Sequence, residues 1–390
     1  MTPATAEDNL DYERRLRYKR FLRLWGPLIV VWSVTAIGLA RLAGLQQRDF
    51  TWFELVGGLV IGLALGSVMA WSETRGLSTN RIGAPPWVDL FGRTALYTGA
   101  IIAAILLARA LLYYLFPEEV PADGPRTLGE LWEDRRIRRF VILLFIASFA
   151  LNFLLHLRLA VGPEHLAALF TGRYRQPAFQ QRAFVFVDLV DSTPTAQALG
   201  PLEFTCFKHD FFSDIAEPLI VTGGRIVQYV GDEVMVTWHA DDLSPGAEPF
   251  AFVATLESKL RRRAAAYETR YGRRPRFRTG IHYGEVVVAQ VGDTRRDIVY
   301  SGDVVNTGAR LLQACREQGV DGLASAVAVE RFGRGTRAGQ ARRMHGLAPV
   351  SLSLKPLGTL ALRGRAAGLE AYGWRWDGAQ ADLNPPSATP

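Results

Sequence analysis

RAFVFVDLVDST, Arg182 to Thr193, is the stretch from which the rest of the chain can be read. Ala183 to Val187 are small, β-branched or aromatic, the composition of a strand buried on both faces, and the run breaks at Asp188. An ionised Asp at the tip of a buried strand costs several kcal/mol to desolvate unless a cation or hydrogen-bond donors surround it. A metal ion is one solution. Directly after it, Asp191, Ser192 and Thr193 stand where a helix would start. Their oxygens can cap that helix, and its free N–H groups can cradle a phosphate. A buried strand followed by an ordinary N-cap accounts for the segment equally well.

Downstream of it the pattern alternates strand, helix, strand, strand, helix, strand. Residues 202 to 221 have helical spacing, with Phe204, Phe207, Phe211, Phe212 and Ile215 on one side, and Gly223-Gly224 ends the helix. Arg225 to Val230 and Val234 to Trp238 read as a hairpin turning at Gly231-Asp232-Glu233. An Arg-rich helix is expected over 248 to 271, and a second hairpin over 276 to 291 around Tyr283-Gly284. Asp303 to Arg316 is again helical, with Val304, Ala309, Leu311 and Leu312 buried. Short strands and a helix continue to about Trp374, and residues 376 to 390 read as a disordered tail.

Asp232 is a second carboxylate, at a hairpin turn where Gly and Asp are common for conformational reasons alone. Its interest lies in its partnership with Asp188: in this order of elements the end of the first strand and the turn of the next hairpin share one edge of the sheet. Two carboxylates there could share two divalent cations about 3.5 to 4 Å apart, the spacing of two-metal phosphoryl chemistry. Asn306 and Arg310, four apart on one helix, share a face. An amide beside a guanidinium suits a sugar oxygen and a phosphate, although for the pair taken alone a solvated helix face with a hydrogen-bonded Asn is the better explanation.

FVFVDLVDST, GGRIVQYVGDEVMVTW, FRTGIHYGEVVVAQVG and YSGDVVNTGARL, in that order, resemble the class III nucleotide cyclases, the adenylate and guanylate cyclase family. The likeness covers roughly residues 180 to 375, and TGRYRQP with QYVGDE resembles a bacterial subgroup bearing a multi-span membrane region. The resemblance implies a ferredoxin-like α+β catalytic domain. It implies that Asp188 and Asp232 bind two divalent metal ions, Mg²⁺ or Mn²⁺, helped by the backbone at Leu189. Asn306 would orient the ribose and Arg310 stabilise the transition state. Family sites lie between subunits, so a chain with one such domain would homodimerise.

The implied reaction is attack of the ribose 3′ oxygen on the α-phosphorus of a nucleoside triphosphate, releasing pyrophosphate. Adenylate cyclases of the family usually carry Lys, and Asp or Thr, where this chain has Gln228 and Val299. The pair usual in guanylate cyclases is absent too. ATP and an adenylate cyclase are expected first, guanine second. A diguanylate cyclase is disfavoured because Gly223-Gly224 is not contiguous with Asp232-Glu233. A catalytically silent dimerisation module is the other alternative, against which the presence of Asp188, Asp232, Asn306 and Arg310 argues.

The first half has another character. Hydrophobic residues are 49% of the chain, and their long runs are confined to the first 160 residues. Runs at roughly 24 to 44, 52 to 71, 94 to 116 and 139 to 160 each approach the ~20 residues that span a bilayer. Arg14, Arg15, Arg17, Lys19 and Arg20 precede them, which places the N-terminus, and after four spans the second half, in the cytoplasm at the inner (plasma) membrane. Arg135, Arg136 and Arg138, expected in the outer loop 117 to 138, run against that preference. Arg109 alone interrupts the spans strongly, too little polar lining for a transporter.

The expected organisation is a basic N-terminus (1–21), a four-helix transmembrane region (22–160) contacting membrane lipid, a connector (161–181), a catalytic domain (182–375) and a tail (376–390). The net charge of +7 comes from dispersed Arg with no aromatic-interleaved basic patch, so no nucleic-acid partner is expected. Cys206 and Cys315 form neither a disulfide framework nor a zinc spacing.

Overall fold

A computed structural model describes residues 3–44, 52–76, 86–115, 133–240, 248–294, 296–333, 352–365 and 367–376. The chain divides into two compact units, Met1–Phe170 and Thr171–Pro390.

The first unit is helical: α1 (Pro3–Leu42), α2 (Trp52–Gly76), α3 (Pro86–Leu115), α4 (Arg135–Val161) and the short α5 (Pro163–Thr171). Four of these contain segments long and apolar enough to cross a membrane, Leu24–Leu42, Leu55–Thr74, Leu90–Ala108 and Arg135–Arg158. Gly58, Gly62 and Gly66 line the face of α2 that meets α1. A Cβ on Gly62 would run into Ser33, and one on Gly66 would come within 2.8 Å of the Ile29 backbone. Small residues four apart let two helix backbones approach closely without help from hydrophobic exclusion. Trp32, Leu65, Met69, Tyr97, Ile101 and Leu144 fill the centre, while Val30, Val34, Leu59, Leu107 and Ile146 face outward.

Arg135, Arg136 and Arg138, expected in a loop, belong to α4. Asp134 starts this helix by accepting a hydrogen bond from the Arg136 N–H at 2.7 Å. Gly162, at φ 91°, ends it. Residues 116 to 132, the side chain of Arg109 and the tail from 377 onward lie outside the described residues.

The second unit is α+β, as the sequence led us to expect. In order it comprises β1 (Ala178–Leu189), α6 (Ser192–Thr222), β2 (Arg225–Val230), β3 (Glu233–His239), α7 (Glu248–Arg262), α8 (Ala264–Tyr271), β4 (Phe277–Val291) and β5 (Asp297–Ser301). It continues with α9 (Asp303–Glu317), β6 (Gly322–Ser325), α10 (Ala326–Phe332), β7 (Lys355–Leu360) and β8 (Leu369–Trp374). The sheet runs β2-β3-β1-β4-β6-β8-β7, with β5 paired to β4. Central β1 is antiparallel to β3 and β4; β4 is parallel to β6.

Alternation along β1 sends Val185 and Val187 into a core built with Phe207, Phe211 and Ile215 of α6 and Phe250, Phe252 and Leu256 of α7. Phe186 meets α9 instead, where Gly308 leaves room for its ring. Gly280 of β4 lies beneath the same helix, with no space for a Cβ against the Gly308 and Leu312 backbone.

Several sequence expectations change. The stretch 276 to 291 is one fifteen-residue strand, not a hairpin. Tyr283 and Gly284 pair with Ala183 and Arg182 of β1, so Gly284 continues the ladder rather than turning the chain. The chain reverses after Gly292, at φ 102°, where the residues turn polar. The helix expected over 248 to 271 breaks at Arg263, whose guanidinium reaches buried Asp214. The helix read from 202 is the second part of α6, which begins at Ser192 and kinks at Gly200. β1 starts at Ala178, inside the stretch read as connector, and keeps Asp188 and Leu189 within the strand. Ala309 is half-buried where burial was expected, whereas Val304, Leu311 and Leu312 are buried.

Candidate active site

The last turn of β1 carries the site. In register, Asp188 stands between Glu233 of β3 and Arg278 of β4. The two-residue turn Gly231-Asp232, made feasible by Gly231 at φ 65°, joins β2 to β3 and brings Asp232 beside Asp188. Leu189 is buried, and its neighbour Val190 donates to the Arg276 carbonyl at 2.8 Å, which closes the strand end.

Burial, and then the charge of Asp232, push the Asp188 carboxyl up to about 6; Arg278 and the Leu189 backbone oppose this only in part. Burial followed by the charges of Asp188 and Asp232 takes Glu233 to about 7. Three acids thus crowd one edge, where Asp232 makes the ionised forms of Asp188 and Glu233 costlier and Asp188 adds to the effect on Glu233. Perturbed acids of this kind mark functional sites.

Asp191, Ser192 and Thr193 start α6 immediately beyond. Capping by side chain does not occur: Asp191 is left-handed, at φ 56°, and makes no side-chain cap bond. Its carbonyl instead accepts from the Thr195 hydroxyl at 2.7 Å, and Arg273 donates to that hydroxyl at 2.9 Å.

Asn306 is exposed and Arg310 half-buried on α9. Arg310 pairs with Asp303 at 3.9 Å, two turns earlier. Asp303 also accepts from Thr307, which accepts from Arg365 at 3.0 Å. Among the described residues neither Asn306 nor Arg310 makes a hydrogen bond or ion pair with Asp188 or Asp232. Gln228 is exposed on β2, beside a bulge, and Val299 is exposed in the middle of β5. Within a single chain the structure sets Asp188, Leu189 and Asp232 together at the end of β1, with α6 starting just beyond, and among the described residues no hydrogen bond or ion pair joins Asn306 or Arg310 to the two aspartates.

Glu233, Arg278, Asp303 and Arg365 were missed from the sequence. Glu233 follows Asp232 directly, but its closeness to Asp188 depends on the β1/β3 register, which no local pattern encodes.

Residues 175–329 match the model of the adenylate and guanylate cyclase catalytic domain. Adenylate cyclase 2 of Rhizobium meliloti (strain 1021) is 35% identical over 242 residues, covering 60% of this chain and 67% of that protein. The chain belongs to the class III nucleotide cyclases. Adenylate cyclase 1 of the same organism is 29% identical over 196 residues, which are 50% of this cyclase and 27% of that protein. Among solved structures, the adenylyl cyclase CyaB from P. aeruginosa is similar at 20% identity and a TM-score of 0.41, covering 51% of this chain and 95% of that one. The guanylyl cyclase Cya2 is similar at 19% identity and a TM-score of 0.41, covering 53% of the cyclase and 98% of that chain.

The donor set fits hard divalent cations. No cluster of three or more His, Cys, Asp or Glu positioned to hold a metal ion occurs among the described residues. Mg²⁺ does not demand such a cage, since it is usually held by one or two carboxylates with substrate phosphates and water. Asp188 and Asp232, mutually repelling and partly desolvated, are a carboxylate pair that a cation would relieve.

Proposed function

We propose that this cyclase converts ATP to 3′,5′-cyclic AMP and pyrophosphate, as a homodimer anchored in a membrane with its second unit in the cytoplasm. The observation that carries the proposal is the carboxylate pair Asp188 and Asp232, brought together at the tip of β1 with both acids exposed to each other's charge. Asp188, Asp232 and the Leu189 backbone would hold two Mg²⁺ or Mn²⁺ ions, which supply acidification of the ribose 3′ hydroxyl and charge neutralisation along the triphosphate. The N–H groups opening α6, around Asp191, Ser192 and Thr193, receive phosphate oxygens. Asn306 orients the ribose ring. A bond forms from the 3′ oxygen to the α-phosphorus as the bond to the pyrophosphate oxygen breaks, and the 3′ proton leaves to solvent. Arg310 counters the charge that builds on the equatorial oxygens.

The homodimer reading is supported by the lack, among the described residues, of any hydrogen bond or ion pair from Asn306 or Arg310 to the aspartates of the same chain: a second copy would supply the other half of each site. Exposed Phe179, Ile226, Tyr229, Val230, Val291 and Val299 give such a copy apolar surface to cover. Adenine is favoured by the two adenylate cyclase relatives, and Gln228 and Val299 are the residues that would meet the base. Membrane anchoring is supported by the four apolar helices, and the orientation by the Arg and Lys cluster before the first.

Membranes carrying the full chain, incubated with Mn²⁺ or Mg²⁺ and each of ATP, GTP, CTP and UTP, test the proposal when products are identified by mass. Cyclic AMP from ATP, lost in Asp188→Ala and in Arg310→Ala, is the expected result. Cyclic GMP as the main product would overturn the base assignment. No cyclic product from any triphosphate would overturn catalysis and leave a silent dimerisation module.

A further inference from the structure

Arg182 is a cation within the core. It lies on β1 six residues before Asp188 and is 1% exposed, a burial that charged side chains seldom reach. Its Nε donates to the Gln180 Oε1 at 2.8 Å, its Nη2 donates to the Tyr174 hydroxyl at 3.3 Å, and its guanidinium carbon sits 4.9 Å from the centre of the Tyr300 ring.

Both ends of this arrangement are anchored. Tyr174 is buried where the chain enters the catalytic unit, at φ 69°, a left-handed conformation that residues other than Gly rarely hold. Its carbonyl accepts from the Gln290 N–H of β4 at 2.7 Å. Tyr300 packs edge-on against Phe184 at 5.8 Å, so its ring is gripped between an aromatic edge and the guanidinium. β5 is five residues long, and among the described strands it pairs with β4 alone. All five of its residues pair with β4, and the grip on Tyr300 adds a side-chain hold on where β5 stands. Val299 precedes Tyr300 and projects from the opposite, exposed face.

We propose that Arg182 is a positioning residue for nucleotide recognition: through Tyr300 it sets the place of β5, and hence of Val299 against the base, while Tyr174 ties that setting to the chain's entry into the catalytic unit. The inference rests on the cyclase reading above, in which Val299 meets the base. A core residue that only added stability would change the melting temperature and leave nucleotide recognition untouched.

The test uses the full chain in membranes, with kcat, KM for ATP and the ATP-to-GTP ratio of kcat/KM measured for wild type, Arg182→Met, Arg182→Lys and Tyr174→Phe. Removing a desolvated cation–π contact in Arg182→Met is expected to raise KM, or shift the base ratio, by about five- to tenfold with kcat changing less. Arg182→Lys, which keeps the cation, should recover part of that loss. Tyr174→Phe removes one hydroxyl and preserves the packing, so it carries the test should Arg182→Met not fold. A KM rise of about twofold in the same direction supports the proposal. An active wild type with unmoved KM and base ratio in Tyr174→Phe and in any folded Arg182 variant would overturn this inference alone. A wild type inactive on every triphosphate would overturn the cyclase reading and this inference together.

Discussion

Asp188 of β1 and Glu233 of β3 are direct partners across an antiparallel ladder, two acids where a sheet ordinarily places opposite charges or apolar side chains. Burial raises both, to about 6 and about 7; the charge of Asp232 adds to the rise at Asp188, and the charges of Asp188 and Asp232 add to that at Glu233. An acid whose folded-state value lies above its unfolded value costs stability once pH exceeds the unfolded value. That cost is present in full above the folded value and vanishes as pH falls below the unfolded one.

Asp188→Asn is therefore expected to stabilise the metal-free protein at pH 7.5, by about 1 kcal/mol after allowance for screening at a half-buried site. The same substitution should abolish cyclase activity. Thermal unfolding in the presence of a chelator checks the first effect. Mn²⁺ should then raise the wild-type midpoint and leave that of the variant where it was. A lower midpoint for Asp188→Asn in chelator would show that the carboxylate is not held at a cost.

In the proposed homodimer, Asp188→Ala and Arg310→Ala would disable different halves of a site shared between chains. Each variant alone should lose at least about a hundredfold in kcat. Co-expressed, the two should form mixed dimers containing one intact site, so activity should return to about a quarter of wild type under random pairing. Activity that stays at the level of the separate variants would mean that one chain builds a whole site.

How much of this was legible in the sequence depends on the range of the interaction concerned. Asp188 and Asp232 could be found because strand, turn and carboxylate are local signals, and the hairpin from Arg225 to His239 has the residues its turn requires. Tyr283-Gly284 misled because a glycine inside a continuous strand looks the same in sequence as one that turns a chain. Only the unbroken pairing of β4 with β1 distinguishes the two cases. Glu233, Arg278 and Arg182 owe their surroundings to strand register, which couples residues some fifty to a hundred positions apart. The break at Arg263 has the same origin, since the partner that draws its guanidinium, Asp214, comes from another helix.

Gly62 should be intolerant of larger residues. A Cβ there would meet the Ser33 side chain and the Ile29 carbonyl across the α1/α2 contact, and a leucine would force the helices apart. Gly62→Leu is expected to lower the yield of folded protein in membranes, or its detergent melting temperature, while Gly92→Leu, at a position open to at least 4 Å, should not. Equal behaviour of the two variants would refute close packing through the glycine face.

His282 of β4 supplies a pH dependence independent of the acids at the site. It is 8% exposed and shares a 2.7 Å hydrogen bond between its Nδ1 and the Ser325 hydroxyl, which also accepts from Ala328 at the start of α10. Burial, reinforced by the positive charge of Arg365 and opposed by Asp303, lowers its value from 6.5 to about 4. A base depressed on folding binds fewer protons in the native than in the unfolded state across that interval. Its contribution to stability is intact above the unfolded value of 6.5, declines as pH falls through the window, and is lost by about pH 4. The total at stake is about 3 kcal/mol, with a slope of at most ~1.4 kcal/mol per pH unit. His282→Gln keeps a polar side chain that cannot titrate, so its stability should fall less steeply between pH 6.5 and 4 than that of wild type, whatever its level at pH 7. Parallel curves of unfolding free energy against pH for the two proteins would show that His282 is charged as readily in the folded chain as in the unfolded one.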